Sequence, residues 1–443
     1  MLDSVAFIAF AALTVVLVAS GLRRPTVSIE FGPLAGIALS GTLLIQALGI
    51  LQRPETVPEG SIAKTLFMCS LTALAVYLGW RKPARSLTPK PPALSNSPRR
   101  LFWLGVGFSA VGLIGCYKLT ALSGGVIQHF STGGHYELVW SGLPVAYVFF
   151  MSYLGPGIFL TWLTALRLRS VWRFVLSGAV ALVPLAFVIF LGRRGQGAEL
   201  GVTIACALFF ARGVLIPRAA FLMACALAIG AIHVAPMYRT NSQLDSDWSQ
   251  LKEIDARATL SDVVNGKAAE NVELYNAAWT IHITDEEFSY GFGTGIYNFL
   301  VAAFVPRLIF GDDFKNMLFI EPPASKADWQ VSYGGDITGP AAAYKQFWYF
   351  GCLWFYALTR LMRAFFDRAI QGGAFAQVMY VACLAQALQS VVKFMYLILN
   401  PLIMFGGVVY IALAASEPIV SRAQRRPDPK QFAPQPTYRE AGQ

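Results

Sequence analysis

Arginine is scarce in apolar surroundings, yet this chain sets Arg193 and Arg194 side by side between two apolar stretches, in IFLGRRGQGAE at 189–199. Two guanidinium forks in a turn tightened by Gly192, Gly195 and Gly197 suit an anion. The planar fork meets phosphate bidentately, and backbone N–H groups of the turn add to it. Without a ligand, the same pair reads as a snorkelling anchor at headgroup depth or as an ion pair with Glu199. Arg307 poses the question again in FVPRLIF, where it follows a proline inside an apolar run, with Asp312, Asp313 and Lys315 just behind it. Its plain reading is a helix cap against those acids. Arg239, in PMYRTNS, is a third such arginine.

Acid–base groups stand in polar segments. His129, His135 and Glu137 lie in HFSTGGHYE, His282 in IHITDEEFSY and Asp336 in YGGDITG. An imidazole or carboxylate there can take the proton of a hydroxyl nucleophile; each is equally what a solvated loop carries. GFGTG at 291–295 lacks the strand–turn–helix context of a nucleotide loop, and no P-loop, H-E-x-x-H or G-x-S-x-G occurs. The six cysteines all fall in apolar runs without Cys/His ligand spacing, so neither disulfides nor a metal site is expected, and no cofactor is implied.

The elements that must position these groups are membrane helices. Hydrophobic residues make up 56% of the 443, only 14% are charged, and the mean hydropathy is +0.53. This predicts an all-α polytopic membrane protein. With about 20 residues per crossing, eleven spans are expected near 4–21, 31–51, 62–80, 101–122, 143–166, 174–192, 197–211, 219–237, 344–366, 373–391 and 396–415. The opening run has Asp3 where a signal peptide would have a positive charge, so it reads as an uncleaved first helix.

Alternating the connections puts 21 of the 35 Lys+Arg with five acids on one face, and 14 with the other 20 acids on the opposite face. The positive-inside rule makes the first face cytoplasmic, the N-terminus external and the C-terminus internal. The net charge of +10 follows from this distribution, and no basic soluble domain suggests nucleic acid.

Four regions result: spans one to eight in 1–237, a large extracytoplasmic loop in 238–343, spans nine to eleven in 344–416, and a disordered cytoplasmic tail in 417–443, rich in Pro and Gln. The loop holds Trp248, Trp279, Tyr290, Trp329 and the apolar runs 297–310 and 317–320, so it is expected to lie on the bilayer as interfacial helices. Residues 255–283 read as one helix with Val263, Val264, Leu274 and Ala278 on its apolar face. Inverted repeats are not apparent, and Gln386 and Gln389 are the main polar groups within spans, which argues against a transporter.

GRRG after span six, FVPRLIFGDDFK in the large loop, and SYGGDITGPAAAYKQFWYFG before the next span resemble, in order and sidedness, the landmarks of the O-antigen polymerase-like family of oligosaccharide repeat-unit polymerases. Arg194, Arg307, Lys315 and Phe350-Gly351 match position by position, over roughly residues 150 to 420; Arg239 fits less closely. Tyr344, Lys345, Gln346 and Tyr349 stand where members often have an Asn and an acid.

The resemblance implies a GT-C-like, metal-independent glycosyltransferase in the bacterial cytoplasmic membrane. It would join undecaprenyl-diphosphate-linked oligosaccharides, donor and acceptor, into a surface polysaccharide on the outer face. A chain-length regulator and a lipid-linked glycan flippase are the partner proteins implied. Arg194 and Arg307 would bind pyrophosphate, with Arg193, Lys315 and Arg239 in support, and Asp336, His282 or His135 would act as base. A transporter of a lipid-linked glycan and the related O-antigen ligase are the other readings of the same landmarks.

Overall fold

A computed structural model describes residues 2–81, 97–131, 145–191, 194–241, 255–265, 272–305, 307–320 and 337–416. Among them every regular element is helical. In hydrocarbon no water satisfies backbone N–H and C=O groups, so a helix, which pairs them within itself, is the form open to such runs.

In chain order the helices are α1 (Leu2–Leu22), α2 (Phe31–Gln52), α3 (Ser61–Trp80), α4 (Pro98–Leu122), α5 (Val126–Ser131), α6 (Val145–Ser152), α7 (Leu154–Leu168), α8 (Val171–Leu191) and α9 (Arg194–Arg212). There follow α10 (Arg218–Asn241), α11 (Ala256–Val264), α12 (Val272–Glu287), α13 (Thr294–Phe304), α14 (Arg307–Phe310), α15 (Asp312–Met317), α16 (Gly339–Phe347), α17 (Cys352–Ala369), α18 (Ala374–Val392) and α19 (Leu399–Ser416). Among the described residues seven helices are long and apolar enough to cross a membrane: α1 to α4, α6 with α7 as Ala146–Leu168, α8 and α18. Shorter apolar stretches, Arg218–Ala231 and Leu399–Ala414, lie in α10 and α19. Helices α9 and α17 stand where spans seven and nine were expected, but polar residues interrupt both: Arg194, Gln196 and Glu199 in one, Arg360, Arg363, Asp367 and Arg368 in the other.

Besides the one-residue break at Tyr153 between α6 and α7, two expected elements are divided. The run 344–366 is not one helix: α16 stops at Phe347, Trp348–Gly351 forms a 3-10 turn with Trp348 at φ 52°, and α17 begins at Cys352. Gly351 lies so close to α16 that a Cβ on it would meet the Ala343 carbonyl oxygen at 2.4 Å. The run 255–283 contains α11 and the start of α12, with 266–271 outside the description. Asp255 caps α11, its Oδ1 accepting from the N–H of Arg257 at 2.9 Å and of Ala258 at 3.0 Å. Leu274 and Ala278 of α12 are buried, as their spacing predicts.

Packing at the centre relies on small residues. In lipid, helices gain by close van der Waals approach, which Gly and Ser allow. Gly105, Ser109 and Gly112 form such a stripe on α4, and it meets α7: a Cβ on Gly105 would lie 2.9 Å from the Leu160 Cβ, and one on Gly112 2.8 Å from the Leu154 nitrogen. Gly157 of α7 reciprocates, its Cβ position 2.5 Å from the Ser109 Oγ.

Helix ends gather into two sets. At one end, Glu30 is fully buried and takes Arg24 Nη1 at 2.8 Å, Trp80 Nε1 at 2.8 Å and the Thr26 hydroxyl. Arg363 lies over the Trp80 ring at 5.1 Å, Arg167 donates to the Phe210 carbonyl at 2.7 Å, and Arg218 to the Arg23 carbonyl at 3.2 Å. At the other end, Lys64 pairs with Asp285, Gln46 donates to Glu273, and Phe299 packs on Tyr396 with ring centres 4.5 Å apart. These are the same two groups of segments that the charge distribution separates.

Candidate functional site

On α9, Gln196, Glu199 and Thr203 follow a three- and four-residue spacing that puts them on one helix face. They line a cavity of about 540 Å³ inside the bundle. Gln386 and Gln389 of α18, with Lys393 just past its end, repeat that spacing and line the cavity too. Ser152, Asn400 and an apolar wall including Leu154, Phe187 and Met404 complete it.

Two glycines set the clearances. A Cβ on Gly155 of α7 would fall 2.6 Å from the Glu199 Oε1, and a Cβ on Gly195 2.8 Å from the Gln389 Nε2. Each polar side chain therefore rests where only a hydrogen leaves room. Glu273, at the start of α12, also lines the cavity, and the large loop is tied down there: Gln46 donates to Glu273 and accepts from the Leu274 N–H at 3.0 Å.

The carboxylates differ in what they touch. Asp285 accepts from the hydroxyls of Tyr290 and Tyr344 at 2.6 Å each and from Lys64. Burial alone would raise its carboxyl, but these donors outweigh it and hold Asp285 below the ordinary carboxylate range. Tyr290 is pushed up to about 12 by burial and then by its bond to Asp285. Glu199, in contrast, has no hydrogen-bond or ion-pair partner among the described residues, and the Gln196 Oε1 beside it is buried and likewise unbonded.

Of the residues singled out in the sequence, Arg194 opens α9 beside cavity-lining Gly195, Arg307 opens α14, and Arg239 sits near the end of α10. The side chains of these three, and all of Arg193, His135 and Asp336, lie outside the described residues. Lys315 is buried and donates to the Ala302 carbonyl at 2.6 Å, near the C-terminal end of α13, where carbonyls lack helical partners and favour a cation. His282 stands 3.2 Å from the Glu286 carboxylate and edge-on to Trp279. Neither Lys315 nor His282 lines the cavity.

His129 is buried, its Nδ1 2.8 Å from the Ser123 hydroxyl and its ring packed on Phe130 and Phe187. GFGTG is a clasp: the Gln346 Oε1 accepts from the N–H of Gly293 and of Gly295, both at 3.1 Å. A Cβ on Gly295 would meet the Gln346 amide at 2.5 Å. Among the described residues no three His, Cys, Asp or Glu side chains gather as metal ligands.

From the sequence alone Glu199 reads only as a partner for the arginine pair, and Gln386 and Gln389 only as isolated polar groups. The signal that joins them is the repeated spacing of polar residues in two otherwise apolar runs. Comparison with protein-family models, with curated proteins and with solved structures finds no match.

Proposed function

We propose that this chain is a polymerase of polyprenyl-diphosphate-linked oligosaccharide repeat units, working on the outer face of a bacterial cytoplasmic membrane. On this reading all eleven apolar runs cross, in a GT-C-like arrangement, with α9 and α17 as spans whose polar residues face the protein interior. The N-terminus is external, the C-terminus cytoplasmic, and residues 238–343 lie outside.

The observation that carries the reading is the cavity of about 540 Å³, lined by Gln196, Glu199, Gln386 and Gln389, that begins at the residue after Arg194. A lipid-linked glycan presents a diphosphate at headgroup depth and sugar hydroxyls beside it. Guanidiniums suit the first, and carboxamides, which both donate and accept, suit the second. The diphosphate is the leaving group, and its departure develops negative charge that fixed arginines stabilise in water-poor surroundings. Arg194 and Arg307 are assigned to it, with Arg193 and Arg239 in support. Lys315 supports from behind, by holding the end of α13 just before Arg307.

The partners on this reading are the two lipid-linked glycans, the bilayer, a chain-length regulator and the flippase that delivers substrate. A transporter of lipid-linked glycan is the second reading, favoured by the same observation, because polar groups around a cavity within a helix bundle also mark transport paths.

Lysine substitution tests the arginines. Arg194→Lys and Arg307→Lys keep the charge and the reach to the interface but lose the bidentate fork. Each variant should accumulate in the membrane at the wild-type level while polymer amount or length falls, by about tenfold or more for loss of a charge-assisted pair. Normal polymer from both variants removes the pyrophosphate assignment.

A further inference from the structure

The described residues contain carboxylates that are spent on structure. Glu30 is enclosed by Arg24, Trp80 and Thr26, Asp285 by Lys64 and two tyrosines, and Glu273 is held by Gln46. Each already accepts hydrogen bonds from neighbouring side chains. Glu199 is set differently. It is partly buried, it lines the cavity, it rests against Gly155, and no donor among the described residues reaches it.

A charge left unbonded in a cavity is costly unless a ligand supplies the donor. The unbonded Gln196 Oε1, one turn before Glu199 on the same face, makes the same demand. The two groups together call for a molecule that brings several hydroxyls. Glu199 is also five residues beyond Arg194 on one continuous helix, about 8 Å along its axis at 1.5 Å per residue. That rise sets the carboxylate about one sugar ring deeper along the helix than its arginine end.

We infer that Glu199 is the catalytic base of the transfer, taking the proton of the acceptor sugar hydroxyl. This rests on the polymerase reading above. The acceptor oxygen bonds to the anomeric carbon of the donor, and the bond from that carbon to the diphosphate oxygen breaks with its electron pair going to the diphosphate. The hydroxyl proton passes to the Glu199 carboxylate and from there to water. Gln196, Gln386 and Gln389 orient the acceptor, and Gly155 keeps the carboxylate aimed into the cavity.

The test compares purified wild type with Glu199→Gln, supplied with lipid-linked repeat units in detergent, with initial joining rates measured from about pH 5 to about pH 9 to span the titration of a base. Glutamine keeps the shape and cannot accept the proton. The expected result is a rate lower by about 10²- to 10⁴-fold, little change in donor KM, and loss of the acid limb that wild type shows. A Glu199→Gln rate within about threefold of wild type, far below the usual contribution of a base, with the acid limb intact, overturns the assignment and leaves the polymerase reading standing. Absence of joining by wild type removes that reading, and the base with it. Should Glu199→Gln elute as an aggregate, Glu199→Ala with added formate replaces it: joining restored by formate supports the base, and no restoration by formate overturns it.

Discussion

Asp285 shows how one side chain can hold the large loop in place. Its folded carboxyl lies below the ordinary range, because Lys64 and two tyrosine hydroxyls outweigh burial. A group depressed below its unfolded value of about 4 stabilises the fold at neutral pH, and that contribution is lost as pH falls through the lower folded value. Asp285→Asn should therefore speed limited proteolysis of the 272–344 region at neutral pH, and its difference from wild type should fade in acid below about pH 4. A gap of equal size at both pH values would contradict the ionic account. Arg193, Arg194 and Arg307 stood out in the sequence because arginine between apolar runs is conspicuous. Glu199 did not, since its meaning depends on Gly155, 44 positions earlier, and on Gln386 and Gln389, far along the chain. Lys315 also needed the structure: the resemblance gives it to the pyrophosphate, and its ammonium reaches back to the carbonyl of Ala302.

Among elements, the contact of α4 with α6 leaves no room for added volume. A Cβ on Gly115 of α4 would lie 2.4 Å from the Met151 nitrogen and 2.7 Å from the Tyr147 carbonyl oxygen, both rigid backbone. Gly115→Val should cost about 1–3 kcal/mol or more, the range for overpacking a tight interior, and lower the Tm in detergent. Gly107→Ala on the same helix meets nothing within 4 Å and should leave the Tm unchanged or slightly higher. Equal Tm values for the two variants would mean that α4 and α6 do not meet at Gly115. Hydrophobic runs foretold where most helices lie, because length and apolarity suffice for that. They did not foretell the break at Trp348–Gly351, since most residues around it are apolar and the close approach of Gly351 to α16 joins positions that the hydrophobic pattern does not relate. The run 255–283 likewise kept its helical period although Asn265-Gly266, a turn signal, interrupts it.

For the whole molecule, the two groups of helix ends and the exposed apolar side chains of the loop make one arrangement. Ile309, Phe310, Phe314 and Met317 are all exposed on α14 and α15, as a segment resting on a bilayer surface requires. With basic residues concentrated in the other group of segments, the proposed orientation predicts that Ser86→Cys and Ser421→Cys are shielded from an impermeant thiol reagent in intact cells, while Ser261→Cys and Ser325→Cys react. Labelling of Ser421→Cys from outside would reverse the orientation and put the arginine end on the wrong face. The measurement that bears most directly on the polymerase proposal is joining in detergent, where there are no two compartments and transport has no meaning. Purified protein given lipid-linked repeat units should form longer glycans and release polyprenyl diphosphate, and should do so in EDTA, because arginines supply the positive charge at the leaving group. Folded protein that binds these glycans yet neither joins them nor releases the diphosphate would contradict the polymerase and leave the transporter.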